Sequence, residues 1–312
     1  MKEEDQLNKW VANSFLINFS QGFTSRFLKN TVEDRGPSAY DQFKEKQVKD
    51  INHIKSLMQK GTNKILFIAA GNENISISEP IGKWKEEEFY LIPKEALLDP
   101  FLADFTIIVG GIDQFFRSSS TSNFPSLSQV VQDNFILTLG KNIKLLNHGK
   151  ESLQNGTSFA SPIAAGAAAL LKQKYPDFSA QQIKEVILES ASKNFFIEKD
   201  STVPGGAHIL VYDPADPFTQ TIPSNAQVQV RPFDPSLYGK GILNLQAAFV
   251  YGDLKVKHPT WDKKRLRTEM QTVLSQQLND AAVILQKAFK KYQAQKKLKP
   301  IKRPKANEKN RK

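Results

Sequence analysis

Asn155-Gly156-Thr157-Ser158-Phe159-Ala160-Ser161-Pro162, running on into Ile163-Ala164-Ala165-Gly166-Ala167-Ala168-Ala169-Leu170-Leu171, is the stretch from which the fold can be read. A polar, Gly-containing turn leads directly into small and apolar residues with no polar face, so the spacing predicts a helix buried on all sides. Its small side chains would let other backbones approach closely. Thr157 and Ser158 fall where the first N–H groups of a helix have no intrahelical acceptor, an end that attracts negative charge. Two readings follow. The turn is a simple N-cap, or Ser158 is a nucleophile whose attack creates an oxyanion at that end.

Working outward, short apolar runs precede this stretch and close on turns. Phe15 to Phe19 ends at Ser20-Gln21-Gly22, and Ile65 to Ala70 ends at Gly71-Asn72-Glu73. Between them, Tyr40, Phe43, Val48, Ile51, Ile54, Leu57 and Met58 recur at helical spacing, with Gly61 as a terminator. Strand, helix, strand at this spacing is a βαβ unit, which implies a parallel sheet with ligands beyond the strand carboxyl ends. Asn72 is placed there, although an Asn at a strand end also serves as a turn residue. Phe105 to Asp113 and Phe135 to Leu139 read as further strands, and Ala180 to Ala191 as a helix with Ile183, Val186, Ile187 and Leu188 facing the core. Residues 73–104 read as a polar loop region whose Glu86-Glu87-Glu88 run is a solvated face. Phe195 to Leu237 reads as a surface insertion in which only His208 to Tyr212 is strand-like. The fold class is α/β: a mostly parallel sheet with helices on both faces, followed by a basic C-terminal helix.

Five of these stretches, in this order, resemble the subtilases, the subtilisin-like serine peptidases. They are Ile17-Asn18-Phe19-Ser20-Gln21-Gly22, Ala69-Ala70-Gly71-Asn72-Glu73, the strand from Phe105 with its Ser118 to Phe124 loop, Gly156 to Pro162 with its helix, and Tyr238-Gly239-Lys240-Gly241-Ile242. The resemblance covers about residues 11–250. It implies peptide-bond hydrolysis through an acyl-enzyme on Ser158. Asn72 would donate from its amide to the oxyanion together with the Ser158 N–H, and Ser20, Gly22, Ala69, Ala70 and Gly71 would bind substrate. The family's Asp-Ser/Thr-Gly and His-Gly-Thr-His motifs belong before the strand at residues 15–19, and neither is found in this sequence. Asp34-Arg35-Gly36 follows that strand and has no apolar run before it. His53, His148, His208 and His258 are not in a Gly-Thr-His context. The expectation is that the N-terminal part of the domain is missing and that the chain is inactive alone, or is a pseudoenzyme, unless a second chain supplies the Asp/His half.

The composition is that of a globular protein, with 312 residues, 40% of them hydrophobic. There are no cysteines, which excludes disulfides and thiolate metal sites. No metal-ligand loop or cofactor motif is legible. The N-terminus is charged and is no secretory signal; the longest apolar run is too short to cross a bilayer, so a cytoplasmic location is the default. The net charge of +11 is uneven. Residues 255–312 hold 18 Lys and Arg against 4 Asp and Glu, a net of +14, and the remainder carries −3. This divides the chain into a peptidase-like domain at 1–253 and a tail at 254–312 with an acidic partner.

Within the tail, Leu266, Met270, Val273, Leu274, Leu278, Ala281, Ile284, Leu285, Ala288 and Tyr292 form a helical stripe, and a Lys-rich segment beyond Lys299 reads as disordered. Leu285, Gln286, Lys290 and Tyr292 resemble the start of a calmodulin-binding IQ helix, from which the chain departs at Lys291 and Gln295. Docking on its own domain, self-pairing, a calmodulin-like partner and an anionic membrane surface all stay open. Nucleic acid is the reading with no base-reading or stacking motif behind it.

Overall fold

A computed structural model of the chain describes residues 14–20, 37–60, 63–84, 87–114, 121–147, 149–197, 208–212 and 228–298. Strand β1 (Leu16–Phe19) is followed by α1 (Pro37–Gln59) and β2 (Ile65–Ala69). Next come a small hairpin of β3 (Gly82–Trp84) and β4 (Glu87–Phe89), the helices α2 (Ile92–Leu98) and α3 (Pro100–Ala103), and β5 (Thr106–Ile112). The short α4 (Gln129–Asp133) leads into β6 (Phe135–Leu139). Strands β1, β2, β5 and β6 lie side by side in that order, all parallel. Their alternate residues feed opposite layers. Ile65 and Phe67 of β2 join the cluster beneath the central helix, whereas Leu66 and Ile68 pack with Ile54 and Met58 of α1.

A hairpin of β7 (Ile143–Asn147) and β8 (Lys150–Gln154) carries the chain from β6 to the central helix, α5 (Thr157–Lys174). Helix α6 (Ala180–Glu189) starts in a capping box between Ser179 and Gln182. Strands β9 (Phe195–Ile197), β10 (His208–Tyr212) and β11 (Val228–Pro232) form a separate three-stranded sheet, and α7 (Pro235–Tyr238) and α8 (Leu245–Lys257) close the body. The last helix is α9 (Lys263–Leu298). Among the described residues no helix is long and apolar enough to cross a membrane.

Three expectations need correction, and one element is new. The central helix is not buried on all sides. Ala160, Ala164, Ala168 and Leu171 face the sheet, but Ile163 (39% exposed), Leu170 (48%), Pro162, Gly166 and Ala169 form an open stripe, because among the described residues nothing covers that flank. Residues 73–104 are not loop throughout, since they carry β3, β4, α2 and α3. Ile92, Ala96, Leu97 and Leu102 are buried, and Asp99 caps α3 by accepting from the Phe101 and Leu102 N–H groups. Two prolines, Pro93 and Pro100, mark these helix starts in the sequence. The insertion holds three strands rather than one. The β7–β8 hairpin was not anticipated at all, and its turn signal is Gly149, with φ 76°.

Helix α9 is docked by its first turns. Asp262 accepts from the Arg265 N–H at 2.7 Å, and Leu266 and Met270 enter the cluster that holds Ile183, Ile187 and Tyr251. His258 stacks on Trp261 at 3.8 Å, which occupies that imidazole structurally. The charge boundary near Asp253 falls inside α8. Lys184 of α6 reaches the Ala103 carbonyl at 2.6 Å. Burial pushes its ammonium down from 10.5 to about 8, against the pull of Asp104 and with a smaller push from Lys263.

Two outcomes follow from this packing. In urea titrations Leu266→Ala costs about 2–5 kcal/mol, the range for buried leucines, while Leu278→Ala, on the exposed continuation of the same stripe, stays within about 0.5 kcal/mol. Between roughly pH 8 and 10.5 the unfolded chain keeps a proton that folded Lys184 has released, so stability rises with pH across that window. Measured at several pH values, Lys184→Met removes this rise.

Candidate active site

The parallel sheet brings the tips of β1 and β2 to the start of α5. Gly156 is the N-cap residue of that helix, with φ 143° and no capping side chain. The first donors of the helix are instead served from the β2 tip. The Thr157 N–H donates to Asn72 Oδ1 at 2.8 Å, and the Thr157 hydroxyl donates to the same oxygen at 3.2 Å. That hydroxyl in turn accepts from the Gly71 N–H at 3.1 Å. Thr157 is 1% exposed, so these bonds are shielded from water. With Oδ1 doubly engaged, the orientation of the Asn72 carboxamide is set. Its NH2 group makes no hydrogen bond among the described residues, and Asn72 is exposed.

A second carboxamide, not singled out from the sequence, holds this loop in place. Asn123 is 1% exposed and uses its whole hydrogen-bonding capacity. Its Oδ1 accepts from the Glu73 and Ile75 N–H groups at 3.0 and 3.1 Å, and its Nδ2 donates to the Ala70 carbonyl and to Glu73 Oε2, both at 2.9 Å. Glu73 Oε2 also accepts from the Asn72 N–H at 2.9 Å. Gly71 has φ 104°, and a Cβ there would run into the Asn123 amide nitrogen, so the position requires glycine. The signal available in the sequence was the Ser122-Asn123 pair after the β5 strand, two polar residues that are both almost fully buried.

Ser158 is half-buried. Its Oγ donates to the Ser20 carbonyl at 3.2 Å, its one hydrogen bond among the described residues. Ser161, fully buried one turn on, donates to Asn18 Oδ1 at 2.6 Å, and Asn18 Nδ2 donates to Ser20 Oγ at 3.0 Å. The tip of β1 is thereby pinned to the first turn of α5. Pro162 lacks the N–H that would otherwise close onto the Ser158 carbonyl.

Of the residues singled out from the sequence, Ser158, Asn72, Gly71 and Ser20 come together at one corner. Ala69 is half-buried at the end of β2, whereas Ala70 is fully buried against the Ile77, Leu97 and Ile108 cluster. Gly22 lies outside the described residues, as do the side chains of His148, His208, Leu285, Gln286, Lys290 and Tyr292. His53 is exposed on α1. Among the described residues no cluster of three or more His, Asp or Glu could hold a metal.

The parallel sheet thus carries a serine in the first turn of a helix with one buried face, and a strand-tip carboxamide bonded to that turn. The model of the subtilase family matches residues 10–217, and the chain belongs to that family. Subtilisin DY of Bacillus licheniformis is 34% identical over 94 residues, 30% of this chain and 32% of that protein, so the chain matches about a third of that relative's length. Among solved structures, the self-cleaved protease domain of PatA is 20% identical with a TM-score of 0.43, over 79% of this chain and 67% of that one. A cold-adapted subtilisin-like serine proteinase is 22% identical with a TM-score of 0.38, over 60% and 53%.

Asn123→Leu removes four hydrogen bonds and leaves buried backbone groups unpaired. It should cost at least about 2 kcal/mol in urea unfolding, and the amides of Glu73 and Ile75 should then exchange with solvent faster.

Proposed function

We propose that the corner formed by Ser158 and Asn72 performs peptide-bond hydrolysis on a polypeptide substrate. The observation that carries this reading is the Asn72 carboxamide locked to the Thr157 N–H, one residue from Ser158, with its NH2 uncommitted. Ser158 Oγ attacks the scissile carbonyl. The oxyanion that forms takes hydrogen bonds from Asn72 Nδ2 and the Ser158 N–H, at the positive end of α5. Collapse expels the amine and leaves an acyl-enzyme, which water then hydrolyses. Ser20, Ala69 and Gly71 border the position of the substrate backbone and its leading side chain.

This chemistry needs a base for the Ser158 proton, and the Ser20 carbonyl is not one. We assign the base, an imidazole with its orienting carboxylate, to a polypeptide that adds to the outer edge of β1 and covers the open stripe of α5. Gly166 supports this: a Cβ built there meets nothing within 4 Å, which leaves room for a close backbone approach. A second reading, a binding protein without catalysis, is favoured by the engagement of Ser158 Oγ with a carbonyl and by the long helix α9.

Fluorophosphonate labelling tests the proposal. Recovered from its native cells with its partners, the chain should be labelled at Ser158, and purified alone it should be labelled slower by on the order of 10⁴-fold or more. Absence of labelling in both preparations contradicts the peptidase reading, and equal labelling contradicts the external base. Asn72→Ala should lower turnover by about 10²–10³, a scale taken from subtilisin itself rather than from the geometry of this chain.

A further inference from the structure

We propose that the groove at the root of α9 is the docking site for an acidic amphipathic helix of a partner protein. The starting point is one stripe on α9. Leu266, Met270, Leu274 and Leu278 recur every four residues and share one face. Leu266 is fully buried and Met270 is 6% exposed; Leu274 is partly buried, and Leu278 is 70% exposed. The cause is the length of α8, whose first turn meets α9 at the Gln246–Gln277 hydrogen bond of 3.2 Å. Past that point α9 continues for 21 residues to Leu298, roughly 30 Å of helix at 1.5 Å per residue. The stripe that docks the helix is therefore uncovered at Leu278.

A cavity of about 470 Å3 opens at the same place, between the end of α6, the start of α8 and α9. Met270 and Leu274 line it, and the exposed Leu278 stands at its edge. Lys264 and Arg267 line it beside one carboxylate, Glu189. That carboxylate is already engaged, with Arg267 at 3.0 Å and Lys240 at 3.3 Å. Beyond Leu278, residues 279–298 add five lysines against one aspartate. A second copy of the chain would bring its own lysines against these, so self-pairing is opposed. An added helix with leucines on one face and carboxylates on its flanks satisfies both features: it extends the line of α8 and neutralises the rim.

The test uses the full chain and a fluorescein-labelled peptide with Leu on one helical face and Glu elsewhere. A control peptide carries Lys for every Glu. Anisotropy should show saturable binding of the acidic peptide alone, weakening as salt rises. Leu278→Glu should weaken it by at least about tenfold, the scale for burying one leucine, without changing the melting temperature. Lys264→Glu should weaken it as well. No binding, equal binding of the lysine peptide, or indifference to Leu278→Glu overturns the proposal. So does a chain that sediments as a dimer broken by Leu278→Glu, or one that partitions onto phosphatidylserine vesicles while ignoring the peptide. The result is independent of Ser158, and the Ser158→Ala chain serves equally.

Discussion

The structure depends on a single joint, the one at which Thr157 ties the tip of β2 to the start of α5. A helix start leaves N–H donors without acceptors, and a strand tip that turns sharply leaves its own amide in need of one. Thr157 answers both needs with three hydrogen bonds to residues 71 and 72, in a site closed to water. Leaving such groups unpaired in the interior costs far more than an average hydrogen bond contributes. The joint thus fixes the helix, the loop and the carboxamide between them as one unit.

What the joint positions is the carboxamide beside Ser158 on which the proposed hydrolysis rests. The electrostatic part of that proposal rests on a fixed carboxamide and the positive end of α5. Asn123 supports it from below, as a buried residue whose every donor and acceptor is committed to the 70–75 loop. The proposal assigns the base to none of the described residues. The exposed flank of α5 and the outer edge of β1 lie beside Ser158, and it is there that the proposal puts a further polypeptide.

The sequence was most readable where local chemistry and tertiary role coincide. The apolar runs of β2, β5 and β6 announce buried parallel strands because both of their faces are covered, and the turn from Gly156 to Pro162 announces the helix because small residues leave few alternatives. It was least readable where burial depends on distant neighbours. Ile163 and Leu170 look like core residues in the sequence and are exposed, since only the fold decides which flank of a uniformly apolar helix is covered. Asn123 looked like a loop residue, because its four partners lie about fifty positions away in the chain. Leu266 and Leu278 belong to one periodic stripe, and only the length of α8 separates the buried one from the exposed one.

The most direct test of this account is the through-hydrogen-bond NMR coupling between the Thr157 amide nitrogen and the Asn72 side-chain carbonyl carbon. The account predicts a resolved coupling, a Thr157 amide protected from exchange, and Asn72 side-chain NH2 protons that exchange rapidly. A missing coupling with an unprotected Thr157 amide would show that the strand tip and the helix start are not joined, and the proposed site would have no structural basis.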